Sequence, residues 1–353
     1  MMRECVSTKK SGFDVVIISE GESGKENGID FIGFPHTSFR LMRFFVRSKK
    51  MIVEAIKQEP DIVQLHAPEL LLYALRLKRL GIKVIFDSHE FYSYQIREKH
   101  YIPKPIRNAV ASVYSMFETF VCRRIDCVLY PCTVLGKNYF ANKAKKSLKI
   151  ENYSMSVAPY PKLFINNAIQ NHAVIHAGGL TEERGITTLA QAIIKTDAIL
   201  ILCGPFSSPG YQQKVMDLCP QGKIEYKGNL DRASLFQQYA QVAVGVCTIH
   251  AVGQYALLDN MSTKVYEYMQ SGLPVVMSDF PCYRHWNSIY HFGICVDPEN
   301  VDEIADAIRY LFDHPDEARQ MGENGRRAVE EEFNWDVEAK KLLRLYEEIL
   351  NDN

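Results

Sequence analysis

No run of about 18 uncharged apolar residues occurs in this chain, so the sequence offers no membrane-spanning helix. The opening residues, Met1-Met2-Arg3-Glu4-Cys5, lack the apolar core of a secretory leader. Nine cysteines are an odd number, and no C-x-x-C pair is among them. Cys122, Cys127 and Cys132 stand five apart with no histidine cluster nearby, which argues against a zinc site. Reduced thiols in a cytosolic protein are the expectation. Low-complexity tracts and repeats are absent, which excludes solenoids and fibrous chains.

What is present is an ordinary globular composition. Of 353 residues, 47% are hydrophobic and 24% charged, enough for two domains with full cores. The net charge of −1 hides a division. Residues 1–150 hold 25 Lys and Arg against 15 Asp and Glu, and the remainder holds 16 against 27. A basic half suits an anionic membrane surface, a phosphate-bearing acceptor or nucleic acid.

Short apolar runs alternate with helical patterns along the chain. Strands are expected at Phe13–Ser19, Asp61–Leu65, Lys83–Asp87 and Cys127–Tyr130, with helices near 38–57, 68–80 and 104–124. The second half repeats the scheme. Its strands are Ala173–Ala177, Ala198–Cys203, Ile224–Tyr226, Val242–Cys247, Pro274–Met277 and Gly293–Val296. Helices are expected there near 185–196, 211–218, 231–240, 263–271, 300–313 and 315–332. Near-continuous apolar strands separated by helices mean parallel sheets covered on both faces, hence two Rossmann-like domains in series. The linker falls near 150–172, where Pro159 and Pro161 interrupt the pattern. In such sheets ligands bind beyond the carboxyl ends of the strands, so the residues following each strand carry the chemistry.

Two features meet that condition in the second half. Lys264 and Glu267 are three apart and share one face of the helix near 263–271, with Lys264 in its first turn. A cation neutralises phosphate, a carboxylate accepts hydrogen bonds from ribose hydroxyls, and a helix N-terminus favours an anion. A surface ion pair is the alternative reading of that spacing. The strand Ala173–Ala177 runs into Gly178-Gly179 and then Arg184-Gly185 before a helix, the backbone recipe for cradling phosphate. Arg184 adds a guanidinium clamp.

Arg184-Gly-Ile, Lys264-x-x-Glu267-Tyr-Met, Ser271-Gly-Leu-Pro-Val and Val296-Asp-Pro298 together resemble the donor domain of family 4 glycosyltransferases. The segments Met321–Arg326 and Phe333-Asn-Trp335 look like that family's C-terminal signature. The resemblance implies an α/β chain of two Rossmann-like domains facing across a cleft, the GT-B fold. Residues 1–155 are then the acceptor side, 156–335 the donor-binding domain, and 336–353 a helix returning to the first domain. It implies retaining transfer from a nucleotide diphosphate sugar, with no cofactor and no catalytic metal. By position Gly178, Gly179, Arg184 and Lys264 bind the diphosphate, so Arg184 and Lys264 also count as catalytic, and Glu267 binds the ribose. Asp259 stands eight residues before Glu267, where the family often has an acid contacting the donor sugar. The base is expected beside Tyr226–Leu230.

In the first half, His66 and His89 each follow a strand. Asp87-Ser-His89-Glu90 resembles a segment of the polysaccharide-building members, which implies that His89 bonds the sugar or its leaving group. The basic, aromatic stretch carrying Arg40, Arg43, Arg47, Lys49 and Lys50 has helical spacing and suits a helix lying on anionic lipid or facing the acceptor. A solvated helix with its apolar face in the core fits the same pattern. Lys143, Lys145, Lys146 and Lys149 extend the basic surface, and a lipid-linked acceptor accounts for both.

Family members usually open with a strand, a glycine-rich loop and a helix, and this sequence begins inside that helix. The N-terminal domain is therefore expected to lack its first strand, with impaired stability or activity. The resulting expectation is a cytoplasmic enzyme of capsule or lipopolysaccharide assembly, peripheral on the inner face of the cell membrane. Alternatives are a non-catalytic nucleotide-binding partner and a nucleotide-sugar 2-epimerase. No recognition motif accompanies the basic half, which argues against nucleic acid.

Overall fold

The computed structural model describes residues 2–36, 42–98, 103–153, 172–253 and 255–352. The chain forms two compact units: Met1–Thr133 with Lys137–Asn152 and Asp336–Asn353, and Val134–Gly136 with Tyr153–Trp335. Most of the expected linker lies outside the described residues.

The first unit opens with helix α1 (Met2–Lys10) and strand β1 (Val16–Glu20), followed by β2 (Gly24–Glu26) and β3 (Ile29–Phe34). β3 pairs parallel with β1 and antiparallel with β2. Asn27 and Gly28, both at positive φ, make the two-residue turn between β2 and β3. Asn-Gly is the favoured pair for such a turn because both central residues need φ > 0. A π-helical stretch, Met42–Arg47, leads into α2 (Ser48–Lys57). Then come β4 (Ile62–Leu65), α3 (Leu71–Arg79), β5 (Lys83–Asp87), α4 (Tyr92–Glu98), α5 (Lys104–Cys122), β6 (Cys127–Tyr130) and β7 (Ser147–Lys149). The strands β4-β5-β6-β7 form a second, wholly parallel sheet. Among the described residues no strand joins it to β1-β3-β2.

The second unit holds a single six-stranded sheet in the order β10-β9-β8-β11-β12-β13. Its strands are β8 (Ala173–Ala177), β9 (Ile199–Cys203), β10 (Ile224–Gly228), β11 (Val244–Cys247), β12 (Val275–Ser278) and β13 (Gly293–Val296). All are parallel, so helices must make the crossovers. These are α6 (Ile186–Ile194), α7 (Pro209–Leu218), α8 (Arg232–Tyr239), α9 (Thr263–Gln270) and α10 (Pro281–Tyr290), followed by α11 (Val301–Asp313) and α12 (Pro315–Glu331). Ser208, Asp231 and Asn300 cap their helices by accepting backbone N–H bonds. Alternate side chains of β8 point to opposite faces. Ala173, Ile175 and Ala177 enter one buried cluster, and Val174 enters another with Leu200 and Leu202.

Both faces of the inner strands are therefore dry, which is why β8, β9, β11 and β12 are almost wholly buried, whereas the edge strand β10 is largely exposed. The strand order reverses between β8 and β11. Crevices for ligands open at such a switch point, beyond the strands' carboxyl ends.

Helix α13 (Trp335–Asn351) contributes Asp336 onward to the first unit. There Tyr346 Oη donates to Gln64 Oε1 (2.5 Å), and Glu338 accepts from the Glu151 backbone N–H (3.0 Å).

Candidate active site

Helix α9 is fixed against the switch point by Tyr268. Gly245 on β11 leaves room for that ring, since a Cβ there would lie 2.4 Å from it. The Tyr268 hydroxyl accepts the Ala177 N–H at the end of β8 (3.0 Å). Lys264, one turn earlier on α9, is thereby carried to the loop after β8. Gly178 in that loop has φ +124°, and a Cβ at this position would meet Lys264 Nζ at 3.4 Å and Arg184 Nη1 at 3.8 Å. The two cations thus converge on one glycine. Among the described residues no carboxylate lies within ion-pair distance of either. Gly179 lies beside the Arg184 side chain as well. The adjoining Gly185 (φ +74°) touches the loop after β11, where a Cβ would lie 2.0 Å from the Thr248 carbonyl oxygen.

Lys264 is buried, and its ammonium donates to Nε2 of His176 (3.0 Å). Burial, with the Arg184 charge beside it, pushes its pKa down to about 8. Burial and the neighbouring charges of Lys264 and Arg184 hold His176 well below its ordinary value. The ring is neutral, and a neutral ring can accept the lysine proton. Glu267, one turn along α9, accepts from Tyr239 Oη (3.1 Å). Burial raises its carboxyl, while Arg232, the Tyr239 bond and Lys264 pull it back.

Gly178, Gly179, Arg184 and Lys264 therefore form one group, with Glu267 on the same helix face as Lys264. Asp259 sits half-buried in the loop leading to α9. Tyr226 on β10 donates to the Gly204 carbonyl (3.1 Å) and packs edge-on to Phe206. His176 and Tyr239 were not expected. A histidine inside an apolar strand reads as core, and Tyr239 lies far from Glu267 in sequence.

In the first unit, His66 and His89 follow the adjacent strands β4 and β5. Both turn toward Asp87 Oδ2, His66 Nδ1 at 3.1 Å and His89 Nε2 at 3.7 Å. The two rings stack at 16°, with His66 Nδ1 3.2 Å from His89 Nε2. Gln64 donates to both Asp87 (3.2 Å) and Glu4 (3.1 Å). Burial pushes the Asp87 carboxyl up, but the His66 hydrogen bond and the two histidines outweigh it and hold it below its usual range. Among the described residues this trio could gather a metal ion, since its ligand atoms lie within 4.8 Å of one another.

The basic stretch divides. Arg40 and the Arg43 side chain lie outside the described residues. Arg47 is ion-paired with Glu20 and largely covered. Lys49 and Lys50 are exposed, as are Phe45 and Val46. No helix among the described residues is long and apolar enough to cross a membrane. All nine cysteines are free thiols.

Comparison with known proteins follows this geometry. The family described as "Glycosyl transferases group 1" matches residues 165–328, and "Glycosyltransferase Family 4" matches residues 5–142. A curated relative, MMP alpha-(1->4)-mannosyltransferase of Mycolicibacterium hassiacum, is 33% identical over 98 residues. That match covers 27% of this chain and only 23% of the relative. Among solved structures, sucrose-phosphate synthase from Thermosynechococcus elongatus superposes with TM-score 0.74 at 17% identity, over 99% of this chain and 92% of that one. Anabaena HepE in complex with UDP and glucose gives TM-score 0.69 at 15% identity, over 98% and 95%. At these identities the likeness shows a shared fold, GT-B.

Proposed function

Because the chain belongs to the family 4 glycosyltransferases, we infer that it moves a sugar from a nucleotide diphosphate sugar to a saccharide acceptor, with retention of configuration. The observation that carries this reading is the meeting of Lys264 and Arg184 at Gly178, where the nearest acid on the same helix face, Glu267, attracts Lys264 without an ion-pair contact. A diphosphate supplies that contact. HepE, which shares the fold, is described with UDP and glucose, in keeping with a nucleotide sugar as donor.

In the reaction the bond from the anomeric carbon to the diphosphate breaks, and the acceptor oxygen bonds to the same face of that carbon. The acceptor proton passes to a diphosphate oxygen. Charge develops on the leaving diphosphate, and Lys264, Arg184 and the loop after β8 stabilise it by being in place beforehand. Glu267 holds the ribose hydroxyls, and Asp259 faces the donor sugar. The base lies beside Tyr226–Leu230. His89 bonds the sugar, with Asp87 and His66 fixing its ring. Charge neutralisation is assigned to side chains, so the reading calls for no metal and no cofactor.

The acceptor is a lipid-linked saccharide of cell-surface polysaccharide assembly, met on the cytoplasmic face of the membrane. The basic first half supports that placement. Titration calorimetry with UDP and GDP tests the core of the reading. One of them binds, and Arg184→Ala and Lys264→Ala each weaken it. Failure of both nucleotides to bind the folded chain overturns the reading in favour of a non-catalytic role.

A further inference from the structure

Helix α5 buries one stripe and shows another. Ala111, Glu118, Val121 and Cys122 face inward. On the outward side Ile106, Val110, Val113, Met116 and Phe120 are 50%, 39%, 67%, 73% and 50% exposed. Their spacing of three or four residues lines them along a single face. One exposed apolar side chain is ordinary, but five in a row on one helix mark an interaction surface.

Among the described residues the exposed charge around the stripe has one sign. Lys104 is exposed at the start of α5, Arg123 and Arg124 at its end, and Arg97 on the neighbouring α4. Among the described residues Arg123 and Arg124 donate to backbone carbonyls, those of Asn142 (2.9 Å) and Phe120 (2.7 Å), Arg124 also lies 3.8 Å over the Phe120 ring, and neither forms an ion pair. The only acid in α5, Glu118, is fully buried and held by Lys143 (3.1 Å) and Tyr139 (2.8 Å). Asp126, just beyond the helix, is held by Lys78 (2.8 Å). A groove of about 590 Å³ runs beside the stripe, lined by Arg97, Arg123 and Arg124 together with Met116 and Phe120. Guanidinium groups over an apolar floor match a phosphate headgroup above its acyl chains. A second copy of this chain fits worse, because packing the helices parallel or antiparallel sets cation against cation.

We propose that the outward face of α5 seats on an anionic lipid bilayer. Val113 and Met116 enter the headgroup boundary, and Arg97, Arg123 and Arg124 take lipid phosphates. This docking surface is built from the first unit alone and does not depend on the transfer reading.

The test is flotation of the full chain with vesicles of two-thirds phosphatidylcholine and one-third phosphatidylglycerol, against vesicles of phosphatidylcholine alone. Binding is expected only to the anionic vesicles, and is expected to weaken as salt is raised. The double variant Val113→Asp with Met116→Asp reduces it at least tenfold, and so does Arg123→Glu with Arg124→Glu. The pair Val113→Leu with Met116→Leu retains it. Circular dichroism confirms folding, and calorimetry with UDP or GDP gives the same result in all these variants as in the parent. Acidic variants that float like the parent overturn the proposal. So does a parent that sediments as a dimer and is split by Val113→Asp, which makes this face an interface between copies.

Discussion

Both units place charged side chains just past the ends of parallel strands, but they balance the charge in opposite ways. In the second unit Lys264 and Arg184 gather at Gly178 with a neutral histidine as the ammonium's acceptor. The structure holds two like charges close together, with the Glu267 carboxylate acting on Lys264 only from a turn away on the same helix. In the first unit His66 and His89 surround a buried carboxylate, Asp87, that already supplies the opposite sign. The first arrangement is disfavoured when empty and relieved by an anion. The second is satisfied by itself and suits orienting an imidazole. A cluster's need for a ligand is thus read from what its charges lack rather than from their number.

The contrast is open to experiment, and the largest effect is expected at Lys264. Lys264→Met removes a charge-assisted bond to diphosphate worth about 2 kcal/mol, so nucleoside diphosphate affinity measured by calorimetry falls roughly 30-fold. Asp87→Asn leaves that affinity unchanged but lowers unfolding stability by about 1–2 kcal/mol in denaturant titration, because the carboxylate partner of His66 is lost. Equal effects of the two substitutions on nucleotide binding would erase the distinction.

The pH responses fall in different windows. Between about 8 and 10.5 the unfolded chain keeps the Lys264 proton and the folded chain has shed it, so stability without ligand rises with pH across that window. Over the same window diphosphate affinity declines as the ammonium is lost. Asp87, held below its usual value, contributes stability that is present above the ordinary carboxyl range and disappears as pH falls through its folded value. Melting curves across pH separate the two. The smallest effect expected is that of a chelator, which leaves sugar transfer unaltered. A loss of transfer would direct attention to His66, Asp87 and His89 as ligands.

Much of the basic cluster at Gly178 was legible because its parts are local in sequence. Lys264 and Glu267 share a helix face, and Gly178 and Gly179 follow a strand whose five residues are all apolar or buried. What stayed hidden depends on long-range packing. His176 looks like core until α9 is laid across β8. The turn at Asn27-Gly28 carried a local signal, yet β2 is only three residues long and fully exposed, so no alternation marks it. Helix α10 was missed because its residues, Pro281–Tyr290, are polar and aromatic without an aliphatic stripe. It is held instead by Tyr283, which is buried. Helix α5 was expected from its pattern, but a sequence cannot say which of two apolar stripes turns inward.

The depressed basicity of Lys264 has a consequence for labelling. With its pKa pushed down to about 8 by burial, the Lys264 amine is partly free to attack a carbonyl at mildly alkaline pH. An aldehyde reagent bearing a phosphate would be drawn to the same pocket and form an imine there, trapped by borohydride and blocked by the natural occupant. The side chain proposed to hold the diphosphate is thereby also the handle by which the pocket can be tagged and counted.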